Sequence, residues 1–193
     1  MSDYYKNILK DHINLFENFL VFEDQVNNIA NSIYKSFIKK GKLILCGNGG
    51  SAADSQHIAA EFVGRFEIER GPLPAIALTT DTSVITCLSN DYDYNDVFSR
   101  QIETLGKKND CLLAISTSGN SINVLNAVKV ANKLSIKTIG ILGNDGGDIM
   151  KFCKYNLIVN SKSTARIQEA HIFLLHAICG IIDRKINNLR SNN

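Results

Sequence analysis

Leu43-Ile44-Leu45-Cys46-Gly47-Asn48-Gly49-Gly50-Ser51-Ala52-Ala53-Asp54-Ser55-Gln56-His57-Ile58-Ala59-Ala60-Glu61 decides the fold. Its opening apolar run reads as a buried strand. The run breaks into a turn holding three glycines, and a helix follows with Ser51 or a near neighbour at its cap. Strand, glycine turn and helix N-terminus together make an anion site. Glycine lets the backbone approach a ligand closely, and the first turn of a helix offers unpaired N–H groups with a partial positive charge. Asn48, Gly49, Gly50 and Ser51 are therefore candidate substrate contacts. The same helix carries His57 and Glu61, four residues apart and so on one face, a turn or two beyond the anion pocket.

The device recurs. Leu112-Leu113-Ala114-Ile115 is a second apolar run, and it leads into Ser116-Thr117-Ser118-Gly119-Asn120-Ser121 and a helix over Val124–Leu134. Ordinary helix capping also uses serine-rich turns. Two such loops, each between a strand and a helix, would lie at the same carboxyl edge of a parallel sheet, where open α/β sheets bind ligands. Ser51, Ser116, Thr117, Ser118 and Ser121 are the candidate phosphate donors.

Working outward, strands are expected at Leu43–Cys46, Ala75–Leu78, Cys111–Ile115, Thr138–Leu142 and Asn156–Val159. Helices are expected at Ala52–Phe66, Thr82–Ser89, Asp96–Leu105, Val124–Leu134, a short one near Asp148–Cys153, and Thr164 to about Ile186. Residues 4–40 contain no Gly or Pro and read as one or two helices with a break near Phe22 to Asp24. The alternation predicts an α/β three-layer sandwich, with a five-stranded parallel sheet flanked by helices, in one domain spanning 1–193. The final residues, Asn187 to Asn193, read as a polar frayed tail.

The chain has 193 residues, 45% of them hydrophobic and 21% charged, which suits a globular protein. A net charge of +2 is too small to argue for nucleic acid or an anionic membrane. No signal-peptide pattern opens the chain, and no apolar run was expected to reach the roughly 20 residues of a membrane span. Five cysteines, scattered singly, read as reduced core residues of a cytoplasmic protein. The final helix, around Phe173, Leu174 and Leu175, is apolar nearly all round, and Phe16, Phe19 and Phe22 add apolar surface near the N-terminus. Both favour a homo-oligomer.

Gln168 and His176 are eight residues apart on that apolar helix, so both can face one side. A hydrogen bond to a neighbouring helix would satisfy them equally well. His57, Glu61, Gln168 and His176 together supply two nitrogens and two oxygens, a set that suits a zinc-like cation.

Cys46-Gly47-Asn48-Gly49-Gly50-Ser51 and Ile115-Ser116-Thr117-Ser118-Gly119-Asn120-Ser121 resemble the loops of the sugar-isomerase (SIS) domain family. Its phosphoheptose isomerase branch is resembled by His57 to Phe66, by Leu88-Ser89-Asn90-Asp91-Tyr92, and by Ala165 to His171 with His176. The resemblance runs to about Arg184. It implies an aldose–ketose isomerase acting on sedoheptulose 7-phosphate, in heptose supply for lipopolysaccharide or capsule. It implies one zinc per subunit on His57, Glu61, Gln168 and His176, with Glu61 as catalytic base and His176 as acid. Asn90, Asp91 and Gln168 would contact the sugar, and active sites would form at subunit contacts of a homotetramer. Ala165 stands where some members carry aspartate. Relatives with this fold include phosphosugar-sensing domains, a branch that binds the bacterial replication initiator, and amino-sugar isomerases or etherases. The initiator-binding branch lacks the counterparts of Glu61 and His176.

Overall fold

The computed structural model describes residues 3–191. Helices α1 (Tyr4–Phe16) and α2 (Glu23–Ile38) open the chain, joined through a 3-10 turn at Phe19–Phe22. Then come β1 (Leu43–Gly47), α3 (Gly50–Val63), β2 (Ala75–Ala77), α4 (Thr82–Asp91) and α5 (Ser99–Leu105). The chain continues with β3 (Cys111–Ser116), α6 (Ile122–Lys133), β4 (Lys137–Gly143), β5 (Tyr155–Val159) and α7 (Thr164–Ser191).

The five strands are all parallel, in the order β2-β1-β3-β4-β5. Alternate residues serve two cores, as the pleat requires. Leu43, Leu45, Cys111, Leu113, Ile115, Ile139 and Ile141 pack with α2, α3 and α7 on one face. Ile44, Cys46, Leu112, Ala114 and Leu142 pack with α5 and α6 on the other. Full burial on both faces explains why these strands read as unbroken apolar runs.

Several boundaries differ from the sequence expectations, each for a local reason. Helix α3 starts at Gly50, not Ala52, because Gly49 (φ +55°) makes the turn and occupies the cap position. Ser51 is thus inside the first turn, its N–H bonded to the Asn48 carbonyl at 2.9 Å. The expected helix Asp96–Leu105 divides into a 3-10 turn at Tyr94–Asp96, started by Asp93 accepting from the Asn95 N–H, and α5. The expected helix near Asp148 is a 3-10 turn at Ile149–Lys151. Helix α7 runs to Ser191, well past Ile186, since neither Gly nor Pro interrupts it there. Of the expected frayed tail, residues 192 and 193 lie outside the described residues.

One expectation is corrected. By length and composition, Thr164–Asn188 of α7 reaches what a membrane-crossing helix needs. Half of that window is buried within the fold, the pattern of a core helix. Nor is α7 covered on every side, since Phe173 remains 49% exposed. Helix α1 docks beside it through aromatic rings: Phe173 meets Phe16 and Phe19 edge-on at centroid distances of 5.3 and 5.8 Å. The cysteines are all free, with Cys46, Cys111 and Cys179 buried.

Candidate active site

In this strand order the chain leaves β1 for one face of the sheet and β3 for the other, although the two strands are neighbours. A crevice therefore opens at their carboxyl ends, and the loops at Asn48–Gly50 and Thr117–Ser121 form its two lips. Nothing lies within 4 Å of where a Gly49 Cβ would be, so the first loop presents bare backbone to open space. In the second, Gly119 (φ +69°) packs so closely on the Gly146 backbone that a Cβ would collide with it.

The serine cluster is more than helix capping. Ser121 occupies the N-cap of α6 but makes no side-chain cap bond. Its Oγ lies 3.1 Å from Ser116 Oγ, which is in turn 3.4 Å from Ser118 Oγ. Ser116 and Ser118 accept the backbone N–H groups of Gly119 and Asn120 at 3.2 and 3.1 Å. The three hydroxyls are thus gathered in one cluster, and because a hydroxyl hydrogen rotates, they could redirect donors toward an anion.

Helices α3 and α7 run side by side in the same direction and bring the proton-transfer groups together. His57 Nε2 faces His176 Nε2 at 2.8 Å, and Glu61 Oε1 lies 3.5 Å from His57 Nε2. Phe66 stacks on the His176 ring at 5.2 Å. Burial holds the His176 imidazole below its ordinary pKa, the nearby His57 adds to this, and Glu61 opposes it. The side chains of His57 and Glu61 are 47% and 22% exposed, so one chain alone leaves the cluster open to water.

Gln168 lies toward the N-terminal end of both helices. A Cβ on Gly50 would strike its amide group, so Gln168 stands at the start of α3, beside the first loop. His176 is eight residues further along α7, about 12 Å at 1.5 Å per residue. Among the described residues, no set of three His, Cys, Asp or Glu side chains is already at metal-ligand spacing. His57, Glu61 and His176 come near it. Two nitrogens on a tetrahedral zinc at about 2.0 Å would stand about 3.3 Å apart, slightly wider than the hydrogen-bond spacing seen here. The donor set of two imidazoles and a carboxylate fits such an ion, and the amide oxygen of Gln168 would be the fourth donor of the expected set.

Asn90 and Asp91 form the last turn of α4 rather than a turn after it, both exposed, with the Asn90 amide donating to Asp91 at 2.8 Å. Arg65 pairs with Glu69 at 3.3 Å on the surface. His12 pairs with Glu169 at 2.7 Å. His171 is fully buried, and burial pushes its imidazole down to about 4. A cleft of about 520 Å³ lies elsewhere, beside the edge strand between Ile76, Leu88 and Leu105, and no histidine lines it.

Three residues of the site carried no sequence signal. Asn123, 3% exposed, exchanges two amide hydrogen bonds with Asn48, at 2.8 and 2.9 Å, and so ties the two lips together. Tyr94 donates its hydroxyl to the same Asn48 oxygen at 3.0 Å. Asp54 is buried on α3 one turn before His57, with one carboxylate oxygen unpartnered. Desolvation lifts its pKa to about 6, against the pull of His57.

Residues 5–143 match the SIS domain model. The chain is 56% identical over 160 residues to a phosphoheptose isomerase of Aliarcobacter butzleri, an alignment covering 82% of this chain and 85% of that one. Its fold superposes on the phosphoheptose isomerase of Neisseria gonorrhoeae with a TM-score of 0.90 at 41% identity, covering 95% of this chain and 98% of that one. A phosphoheptose isomerase from Francisella tularensis gives 0.91 at 35% identity, covering 94% and 97%. With glycine- and serine-rich lips at the strand switch, an imidazole–carboxylate cluster along the helix that follows, and these matches in sequence and fold, the chain belongs to the phosphoheptose isomerases of the SIS domain family.

Proposed function

We infer that the protein is an aldose–ketose isomerase that converts sedoheptulose 7-phosphate to D-glycero-D-manno-heptose 7-phosphate. The observation that carries this reading is the meeting of His176, His57 and Glu61 at 2.8 and 3.5 Å on helices that start beside the anion crevice. The phosphate would rest on Ser51, Ser116, Thr117, Ser118 and Ser121 and on the backbone of Asn48, Gly49 and Gly50. Anchoring that distant end orients C1 and C2 along α3, converting binding energy into alignment. Asn90, Asp91 and Gln168 are assigned to the sugar hydroxyls.

Glu61 would take a proton from C1 of the ketose and return it to C2 of the enediol. His176 would protonate the C2 carbonyl oxygen and accept the proton that the O1 hydroxyl loses as the aldehyde forms. The two transfers balance, and the enzyme returns to its starting state. A neutral His176 suits both halves, because an imidazole has one N–H to give and one lone pair to receive it.

The proposal includes one zinc-like ion per subunit, on His57, Glu61, Gln168 and His176. A metal-bound carboxylate or imidazole is a poorer base, so the coordination would change when substrate binds, freeing Glu61 and His176 to move protons. When bound, such an ion would polarise the substrate carbonyl as a Lewis acid. Elemental analysis of purified protein tests this; full activity after exhaustive chelation would exclude it.

A homotetramer is the proposed assembly, with sites completed at subunit contacts. Leu20, Val21, Ile13 and Phe173 are 85%, 68%, 49% and 49% exposed, and the open His57–Glu61 cluster needs a cover. A stable monomer by light scattering at micromolar concentration would refute it. The proposed setting is the cytoplasm, in heptose supply for lipopolysaccharide or capsule.

The decisive experiment is isomerisation of sedoheptulose 7-phosphate by the purified protein, with Glu61→Gln as its control. Loss of a general base costs about 100–10,000-fold in rate. The variant should neither isomerise the sugar nor exchange its carbon-bound proton with solvent deuterium. Exchange at the wild-type rate would remove Glu61 from the role of base.

A further inference from the structure

Helix α3 ends at Gly64 without the left-handed turn that commonly closes a helix, since Gly64 has φ −83° and ψ −114°. Its last carbonyls must find donors elsewhere. Arg70 supplies them from a 1% exposed side chain. Its Nη2 donates to the Glu61 carbonyl at 2.8 Å, and its Nη1 to those of Phe62, Gly64 and Gly71 at 2.9, 3.2 and 3.0 Å. Its Nε donates to Asp183 Oδ1 of α7 at 2.6 Å. The other oxygen of Asp183 accepts the N–H groups of Glu67 and Ile68 at 3.1 and 3.3 Å.

Asp183 lies seven residues beyond His176, two turns along the same face of α7. One guanidinium therefore grips the backbone of the proposed base and, through Asp183, the helix of the proposed acid. A buried ion pair is often no more stabilising than an apolar substitute. What this one supplies is register between two helices whose reacting groups must meet.

We propose that Arg70, with Asp183, is a positioning residue of the isomerase, setting Glu61 and His57 on α3 against His176 on α7. This rests on the isomerase reading. Arg70→Lys keeps the charge but gathers its donors at one point, so it cannot span the carboxylate and the carbonyls together. A misplacement on the order of 1 Å costs about 100-fold, so kcat should fall about 10–100-fold. KM should stay within about threefold, because the phosphate lips are at the opposite end of α3, about 16 Å from Glu61 at 1.5 Å per residue. Asp183→Asn, which keeps its shape and its N–H partners, should shift kcat in the same direction by less. A folded Arg70→Lys protein with wild-type kcat overturns the proposal, as does a rise in KM that matches the fall in kcat. If Arg70→Lys does not fold, Asp183→Asn decides by the same split. Hydrogen exchange at the Gly64 amide gives a readout independent of activity. Should the wild type prove inactive, the isomerase reading falls by itself. Unchanged Gly64 exchange in Arg70→Lys, or in Asp183→Asn where the lysine variant does not fold, then still overturns the grip on α3.

Discussion

Asn123→Ala should loosen substrate binding while sparing chemistry, and the structure sets the size of both effects. Asn123 receives the Asn48 amide at 2.8 Å, returns its own at 2.9 Å, and accepts the Val124 N–H at 2.9 Å. Alanine removes all three bonds. Each is worth about 1 kcal/mol net, so the loss is about 2–3 kcal/mol. At about 2–4 °C per kcal/mol for a chain of this size, Tm should fall by about 4–12 °C. Asn48 then keeps only the Tyr94 hydroxyl, and the first lip loses its anchor on the second. A cost to the bound phosphate of about 1.4 kcal/mol raises KM about tenfold. The value of kcat should hold within about threefold, because Glu61 and His176 are held by the α3–α7 contact and not by Asn123. Thermal melts and steady-state kinetics on one preparation measure all three. Asn123→Asp sharpens the test. It keeps both acceptor bonds, so Tm should fall less, but it places a negative charge beside the phosphate, so KM should rise more. Wild-type Tm and KM in Asn123→Ala would refute the coupling of the lips.

Ser121→Ala removes one donor to a charged group, worth about 1.5–3 kcal/mol, so affinity should fall roughly 10–150-fold. An unchanged KM would mean the phosphate sits elsewhere. The fully buried His171, held neutral down to about 4, should make the fold acid-sensitive. The unfolded chain protonates it near 6.5 and the folded one only near 4. Its contribution is therefore complete above about 6.5 and is lost as pH falls through the folded pKa, by up to about 3 kcal/mol. Urea unfolding of wild type against His171→Leu at pH 5 and pH 8 reads this directly, and a difference that does not change with pH would exclude it.

The sheet was legible because its strands are buried on both faces. Leu43–Cys46 and Cys111–Ile115 read as unbroken apolar runs, and helical periods between them left the chain few topologies to adopt. The two loops were legible as strand–helix junctions because glycine and serine favour turns and helix caps there. What escaped was pairing across the fold. Asn123 looks like any residue in the first turn of a helix, and only the β1–β3 adjacency puts it opposite Asn48. Arg70 reads as a surface loop residue until the end of α3 is seen to lack donors. Asp54 reads as an ordinary helix carboxylate, because its burial is a property of the folded chain and not of its sequence neighbours. Periodicity reports which face a residue occupies; it is silent on what stands opposite.

The direction of two helices adds what spacing along one helix does not. Helices α3 and α7 run in the same direction, so each pair of residues along them meets at its own height. Gln168 meets Gly50 at the phosphate end, while His176 meets His57 about two turns on. The two ends divide the work. One end has bare backbone, hydroxyls and an amide, which can hold an anion and sugar oxygens but cannot take a proton from carbon. The other has two imidazoles and a carboxylate, which can move protons or hold a cation but lack a cradle for phosphate. A seven-carbon sugar phosphate is the kind of substrate that needs both, because its reacting carbons lie far from its charge. Under the proposed site assignments, the distance between the two ends, fixed by the shared direction of α3 and α7, would itself set the substrate length. A shorter sugar phosphate seated on the same lips would leave its C1 and C2 short of Glu61.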